Sequence, residues 1–267
     1  MRSVSSFEDV RTCINRIRSL KKGFLTNYFP EQSKVDKWCE RKILWVIETE
    51  ETSVFLKKDD GFTSVLYCTT NPIALSIALD QLPRGDLYVI DQIIDVRTDV
   101  SILDILKRAG FRVRKSLVRM SKINKDAFLT DVQKKYVSTV QDIPLLFSLL
   151  QDNFDKYSEQ LPTLEELKDF IEAQHVIVQR VDNDIAGFII YDQSPSTLHL
   201  RYWLVNREFR NMGIGSSLFR EFQQRGQSCK RHILWVMEDN INAIMRYRHY
   251  GYNEENMKDY ILMLNLN

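Results

Sequence analysis

The chain has 267 residues, room for one large domain or two of ordinary size, and two is the better reading. Hydrophobic residues make up 44% and charged residues 27%, the balance of a folded protein, which excludes wholesale disorder. A formal net charge of +1 leaves no surplus of one sign to draw in nucleic acid or a membrane surface.

Met1 to Leu20 interleaves charges with apolar residues and lacks the apolar core of a signal peptide, and no later run reaches the ~20 residues of a spanning helix. A cytoplasmic protein without a membrane or nucleic-acid partner is expected. Cys13, Cys39, Cys68 and Cys229 are scattered, with no Cys-x-x-Cys or Cys/His cluster to cage zinc, so free thiols and no metal are expected. Ile43–Ile47, Ser53–Lys57 and Phe62–Cys68 read as successive strands, Ile73–Leu82 as a helix, Leu87–Ile94 as a strand, Ile102–Arg108 as a helix and Val113–Met120 as a strand.

The polar, basic segment Leu129–Tyr136 is the expected domain boundary, dividing the chain into residues 1–128 and 129–267. Tyr136–Val140 then reads as a strand and Ile143–Tyr157 as a helix with Leu145, Leu146, Leu149, Leu150 and Phe154 at helical spacing. Thr163 with Glu166 three residues on is a capping box that starts a second helix. Val176–Val181 and Ala186–Tyr191 form a hairpin around Asp182-Asn183-Asp184, and Leu198–Val205 is the next strand.

After that strand comes Arg210-Asn211-Met212-Gly213-Ile214-Gly215-Ser216, followed by a helix with Ile214, Leu218, Phe219 and Phe222 on one face and Gly226 as its stop. Two glycines at a strand-to-helix junction let backbone N–H groups approach a phosphate, and the dipole of the following helix is positive at that end. Arg210 adds a charged donor. Basic residues concentrate here: Arg201, Arg207, Arg210, Arg220, Arg225, Lys230 and Arg231 stand against Glu208 and Glu221, with Arg220 and Arg225 assigned to a solvated helix face. Ile233–Met237 is a further strand and Ile261–Leu266 the last.

The two motifs Arg210-x-x-Gly213-x-Gly215 and Asn240-x-x-Ala243-x-x-x-Tyr247-x-x-x-Gly251-Tyr252, in that order around Ile233–Met237, resemble the GCN5-related N-acetyltransferase (GNAT) superfamily, with every motif position filled. The resemblance implies an α+β (α/β) fold whose mixed, mostly antiparallel central sheet is flanked by helices. Helix-Gly-aromatic-strand recurs at Ile105–Phe111, so residues 1–128 read as a degenerate copy, making the fold a tandem of GNAT-like units. That copy lacks a phosphate loop: Thr69-Thr70-Asn71-Pro72 stands where the glycines should be, and its proline has no N–H to donate.

By the same resemblance, acetyl-CoA is the acyl donor and an amine-bearing molecule the acceptor. The backbone of Trp203, Leu204 and Val205 would pair with the pantetheine arm, with the Trp203 N–H facing the acyl carbonyl. Arg210, Asn211, Met212, Gly213, Ile214, Gly215 and Ser216 would cradle the pyrophosphate, and Asn240 would lie near the pantetheine or pyrophosphate. Tyr247 matches the family tyrosine that protonates the leaving sulfur. His199 falls where histone-type relatives carry a base, with Glu238 and Asp239 as alternatives. Other readings are a catalytically silent acyl-CoA-binding or protein-interaction module, and a tandem relative using aminoacyl-tRNA, against which the intact loop and balanced charge argue. A homo-oligomer is left open.

Overall fold

Strands whose apolar residues fall on both faces need helices above and below their sheet. The computed structural model, which describes residues 1–97, 101–124 and 136–266, meets that need in each of two compact units. The first unit comprises Met1–Ser116 and the chain from Asn256 on, the second Leu117–Glu255.

The chain order is β1 (Arg2–Ser3), α1 (Phe7–Ser19), β2 (Leu25–Thr26), α2 (Gln32–Glu40), β3 (Leu44–Glu48), β4 (Thr52–Lys58), β5 (Thr63–Thr69), α3 (Pro72–Leu79), β6 (Leu87–Asp95), α4 (Ser101–Arg108) and β7 (Arg112–Ile123). Then follow α5 (Ile143–Asn153), α6 (Leu164–Glu172), β8 (Val176–Val181), β9 (Asp184–Gln193), β10 (Thr197–Val205), α7 (Ile214–Arg225), β11 (Arg231–Met237), α8 (Ile241–His249) and β12 (Asn253–Asn265).

In the first unit the strand order is β1-β3-β4-β5-β6-β12, antiparallel except for β5 with β6, and β2 pairs additionally with β5. Helices α3 and α4 bury Leu75, Leu79, Leu103 and Leu106 against one face, and α1 and α2 bury Val10, Ile14, Ile17 and Val35 against the other. The second unit has the order β7-β11-β10-β9-β8, antiparallel except for β10 with β11. There α7 places Ile214, Leu218, Phe219 and Phe222 on one face while α5 and α6 place Leu146, Leu150, Leu167 and Ile171 on the other. Two helices, antiparallel strands, a helix, a strand parallel to the one before, and another helix thus occur in the same order in both units.

The units do not divide at 128/129. Leu117–Ile123 of β7 pairs with β11 in the second unit, and Met257–Asn265 of β12 pairs with β6 in the first, so each unit takes its closing strand from beyond the expected cut. Of the expected boundary segment, residues 129–135 lie outside the described residues. The strand expected at Tyr136–Val140 is absent, because Thr139 and Asp142 form a capping box that opens a helical turn instead. The helix expected to reach Tyr157 stops at Asn153 with Phe154 extended, and the last strand is longer than expected. Helices α1 and α2 were not expected, and Ser6 caps α1 by accepting from the Asp9 N–H.

Candidate active site

The site begins where β10 leaves β11. Their parallel pairing runs from Thr197↔Arg231 to Leu200↔Leu234 and ends there, although β10 continues to Val205. A bulge between Leu200 and Tyr202 turns the strand, and from Tyr202 on it pairs with β9 alone. The backbone N–H and C=O groups of residues 201–205 on the β11 side therefore have no β11 partner and are left to water, a side chain or a ligand. This stretch holds Trp203, Leu204 and Val205.

The wedge leads into the glycine loop. Asn211 and Gly213 both adopt left-handed backbone (φ 66° and 76°), which turns successive N–H groups the same way. Gly213 is the N-cap of α7 and no side chain caps that helix. The first amides of a helix have no intrahelical partner, so those of Ile214, Gly215 and Ser216 point outward beside the helix's positive end. A Cβ on Gly213 would meet nothing within 4 Å, so the space in front of the loop is open. Gly215 lies against Trp203 and Val205, where a Cβ would stand 3.4 Å from both side chains, linking the loop to the wedge. Arg210 is exposed and its Nε donates to the Val205 carbonyl at 3.4 Å, bracing the loop. Met212 is exposed at the mouth.

Helix α8 closes the other side. Asn240 caps it, its Oδ1 accepting from the Ala243 N–H at 3.2 Å, so this side chain already serves the helix. The Tyr247 ring lies 5.8 Å from Trp203 and packs near Phe219 and Tyr252. Burial pushes its phenol pKa up, and Glu159 raises it further, so Tyr247 stays protonated at neutral pH. Arg246 stands over the Trp203 ring at 5.6 Å. Ser216 accepts from the Tyr250 hydroxyl at 3.3 Å, and Tyr250 stacks on Phe219.

His199 lies where β10 is still paired, opposite Ile233. Burial, with Arg201 adding repulsion, pushes its imidazole down to about 4, so it is neutral at pH 7 and a weak proton acceptor. Glu238 and Asp239 follow the end of β11, with Asp239 exposed. The basic concentration disperses: Arg201 pairs with Asp192 and Arg231 with Glu255. Arg225, expected on a solvated face, is buried instead. Its guanidinium pairs with Glu221 at 2.9 Å and donates to the carbonyls of Gln174 and Tyr136, since that end of α7 packs against the chain rather than facing water. Arg220 is exposed, as expected.

One titratable residue at the wedge had no sequence signal. Glu159 sits in the turn between α5 and α6. Tyr202, the first β10 residue past the bulge, donates its hydroxyl to the carbonyls of Glu159 (2.8 Å) and Gln160 (2.7 Å). The Glu159 carboxylate accepts the Asp155 N–H at 3.0 Å. Burial, partly offset by that bond and reinforced by the Asp155 charge, pushes its pKa up to about 7. The four cysteines are free, and no group of three or more His, Cys, Asp or Glu among the described residues could hold a metal ion. No helix among them is long and apolar enough to cross a membrane.

Residues 143–252 match the model of the Acetyltransferase (GNAT) family. Among solved structures, a GCN5-related N-acetyltransferase from Sphaerobacter thermophilus superposes at TM-score 0.57 with 14% identity, over 81% of this chain and 77% of that one. An acetyltransferase of the GNAT family from Colwellia psychrerythraea also reaches 0.57, at 11% identity over 99% of both chains. A tandem GNAT protein from the clavulanic acid biosynthesis pathway gives 0.55 at 12% identity, over 84% of this chain and 82% of that one. At such identities the likeness is one of fold. No curated protein matches the chain.

Proposed function

From the GNAT acetyltransferase domain that the second unit carries, we propose that the protein transfers the acetyl group of acetyl-CoA to a primary amine. The carrying observation is the pair of open backbone stretches in one unit, the part of β10 past Leu200 that has no β11 partner and the uncapped start of α7, with Gly215 lying against Trp203 and Val205. A pantetheine arm is an extended amide chain that can pair with strand backbone, and a pyrophosphate suits open amides at a helix N-terminus. The cysteines remain thiols, which fits a reducing compartment and a cytoplasmic site of action.

The first unit supports the assignment of Trp203. In that unit the parallel pairing of β5 with β6 ends at Ser64↔Val89. Tyr67, three residues on and facing the α3 side, donates its N–H to Asn27 Oδ1 at 2.7 Å. Trp203 is three residues past Leu200 and faces the α7 side. The position that binds an amide oxygen in the first unit is thus, in the second, an N–H without a β11 partner, suited to a thioester oxygen. A fixed donor aimed at the developing oxyanion is worth about 2.7–4 kcal/mol in the transition state.

In this reading the amine nitrogen attacks the thioester carbon, the C–S bond breaks, and the departing thiolate takes the Tyr247 proton. Arg210, Asn211, Met212, Gly213, Ile214, Gly215 and Ser216 hold the pyrophosphate, with the backbone of Trp203, Leu204 and Val205 along the pantetheine. Residues 1–128 read as a degenerate copy that gives structural support. The test is calorimetric titration of CoA followed by thiol release from acetyl-CoA with a panel of amines. Saturable CoA binding with amine-dependent thiol release is expected. Binding without release would favour a silent acyl-CoA-binding module, and absence of binding would overturn both.

A further inference from the structure

Acyl transfer to an amine also needs a group that accepts a proton from nitrogen, and His199, the β10 residue that the sequence offers for it, is a poor one. His199 is held below the opening, in the paired part of β10, and burial with the neighbouring Arg201 keeps its affinity for protons low. We propose that Glu159, on the turn between α5 and α6, is the carboxylate that takes this proton. The proposal rests on the acyl-transfer reading above.

Its geometry is fixed from three sides. The turn closes on itself, with the Ser158 and Glu159 N–H groups both donating to the Asp155 carbonyl. Tyr202 then pins the turn to β10 at the residue where the strand departs from β11. One carboxylate oxygen, Oε2, accepts from the Asp155 N–H, while Oε1 has no hydrogen-bond partner among the described residues and is left to receive a proton. The phenols of Tyr202 on β10 and Tyr247 on α8 are both within reach of the Glu159 charge, which raises the pKa of each.

The first unit makes the same use of the corresponding turn. There the chain between α1 and α2 sends Asn27 into the opening between β5 and β6, its Nδ2 donating to the carbonyls of Val65 (3.1 Å) and Asp91 (3.2 Å) and its Oδ1 accepting from Tyr67. The turn joining the first two helices thus delivers a polar side chain to the strand opening in one unit. In the other the corresponding turn is tied by its Glu159 and Gln160 carbonyls to Tyr202, the first β10 residue past the bulge.

The protons balance. As the nitrogen forms its bond to the acyl carbon, its proton passes to the Glu159 carboxylate. The C–S bond breaks, the sulfur takes the Tyr247 proton, and the tyrosinate recovers a proton from the protonated Glu159, so that both groups return to their starting states. The charged and titratable groups around this path are Asp155 on the same turn, Glu166 on α6, Arg201 and Tyr202 on β10, and Arg246 and Tyr247 on α8. Burial is the main cause that raises the Glu159 pKa to about 7, where a carboxylate is both available and basic enough at neutral pH.

The test uses the full chain saturated with acetyl-CoA and the variant Glu159→Gln, whose amide oxygen can still accept the Asp155 N–H. With ¹³C-labelled glutamate, the carboxyl resonance that disappears in the variant should titrate near 7 in the unsubstituted protein; a midpoint near the ordinary carboxylate value overturns the proposal. With ethylamine, putrescine, ethanolamine and a lysine-containing peptide as acceptors, the variant should keep the KM for acetyl-CoA. Its kcat should fall about 10²–10³-fold, and the acid limb of the pH profile near 7 should vanish. A kcat within twofold of the unsubstituted protein, or an acid limb that persists, also overturns it. If none of these amines releases thiol from the unsubstituted protein, the acyl-transfer reading fails with them, and the carboxyl titration still judges Glu159.

Discussion

The two strand openings differ in what fills them. Between β5 and β6 the protein completes its own hydrogen bonds: Asn27 satisfies Val65, Tyr67 and Asp91, β2 pairs with β5 at Leu25↔Thr69 and Thr26↔Cys68, and the Thr26 hydroxyl donates to the Tyr67 carbonyl. The helix beyond is completed too. Asn71 caps α3 through the Ala74 N–H at 2.9 Å, and Pro72 removes one free amide at its start. Between β10 and β11 no strand of the described residues takes the place that β2 has beside β5, Arg210 Nε reaches only the Val205 carbonyl, and α7 starts uncapped on a left-handed glycine. Backbone polar groups need partners, so the unit that supplies its own leaves little for a ligand to satisfy at that place, and the unit that does not leaves donors open for the acyl-CoA proposed above.

The largest effect should come from closing the second opening. Gly213→Val puts a branched side chain in front of the amides and on a backbone conformation that valine resists. Losing two charge-assisted hydrogen bonds at about 1.5–3 kcal/mol each should weaken CoA binding about 10²–10⁴-fold by calorimetry while the domain stays folded. Unchanged affinity in a folded variant would remove the loop from the groove. Tyr247→Phe tests chemistry instead of binding: the acyl-transfer rate should fall about 10²–10⁴-fold at nearly constant CoA affinity. An unaltered rate with chemistry limiting would exclude the phenol.

Opening the first groove should cost stability and leave CoA binding alone. Asn27→Ala strips partners from two carbonyls and one N–H, and a loss of about 2–4 kcal/mol in denaturant unfolding is expected. A change in CoA affinity comparable to that of Gly213→Val would mean the openings are not as different as described. The smallest effect is a pH dependence. Because the folded protein raises the Glu159 pKa to about 7, its contribution to stability is complete below the unfolded value and is lost as pH rises through 7. Relative to Glu159→Gln, the unsubstituted protein should therefore lose about 2–3 kcal/mol between pH 4.5 and 8, measured as unfolding midpoints at each pH. A constant difference would show that the carboxyl is not perturbed.

What was legible in the sequence was what depends on local backbone. The glycine loop, the Thr163 capping box and the helix from Asn240 into Gly251-Tyr252 carry their geometry in residue types a few positions apart, and the structure has each of them. Glu159 was illegible because it follows directly on a stretch read as helix to Tyr157 and belongs to no motif, and only the distant Tyr202 hydroxyl ties its turn to β10. Asn27 was hidden for the same reason, its partners lying 38 to 64 residues away. Alternation identifies β12 as a strand without saying which sheet it joins, so the exchange of closing strands could not be read. A cut at 128/129 would take Leu117–Ile123 from the second unit and Met257–Asn265 from the first, so isolated halves are a poor test of either.

Amide hydrogen exchange of the full chain, with and without saturating CoA, addresses the contrast between the two openings most directly. New protection is expected in peptides covering residues 201–205 and 213–216, and none in those covering 63–75. Protection at 63–75, or its absence at both the β10 wedge and the glycine loop under saturating CoA, would contradict it.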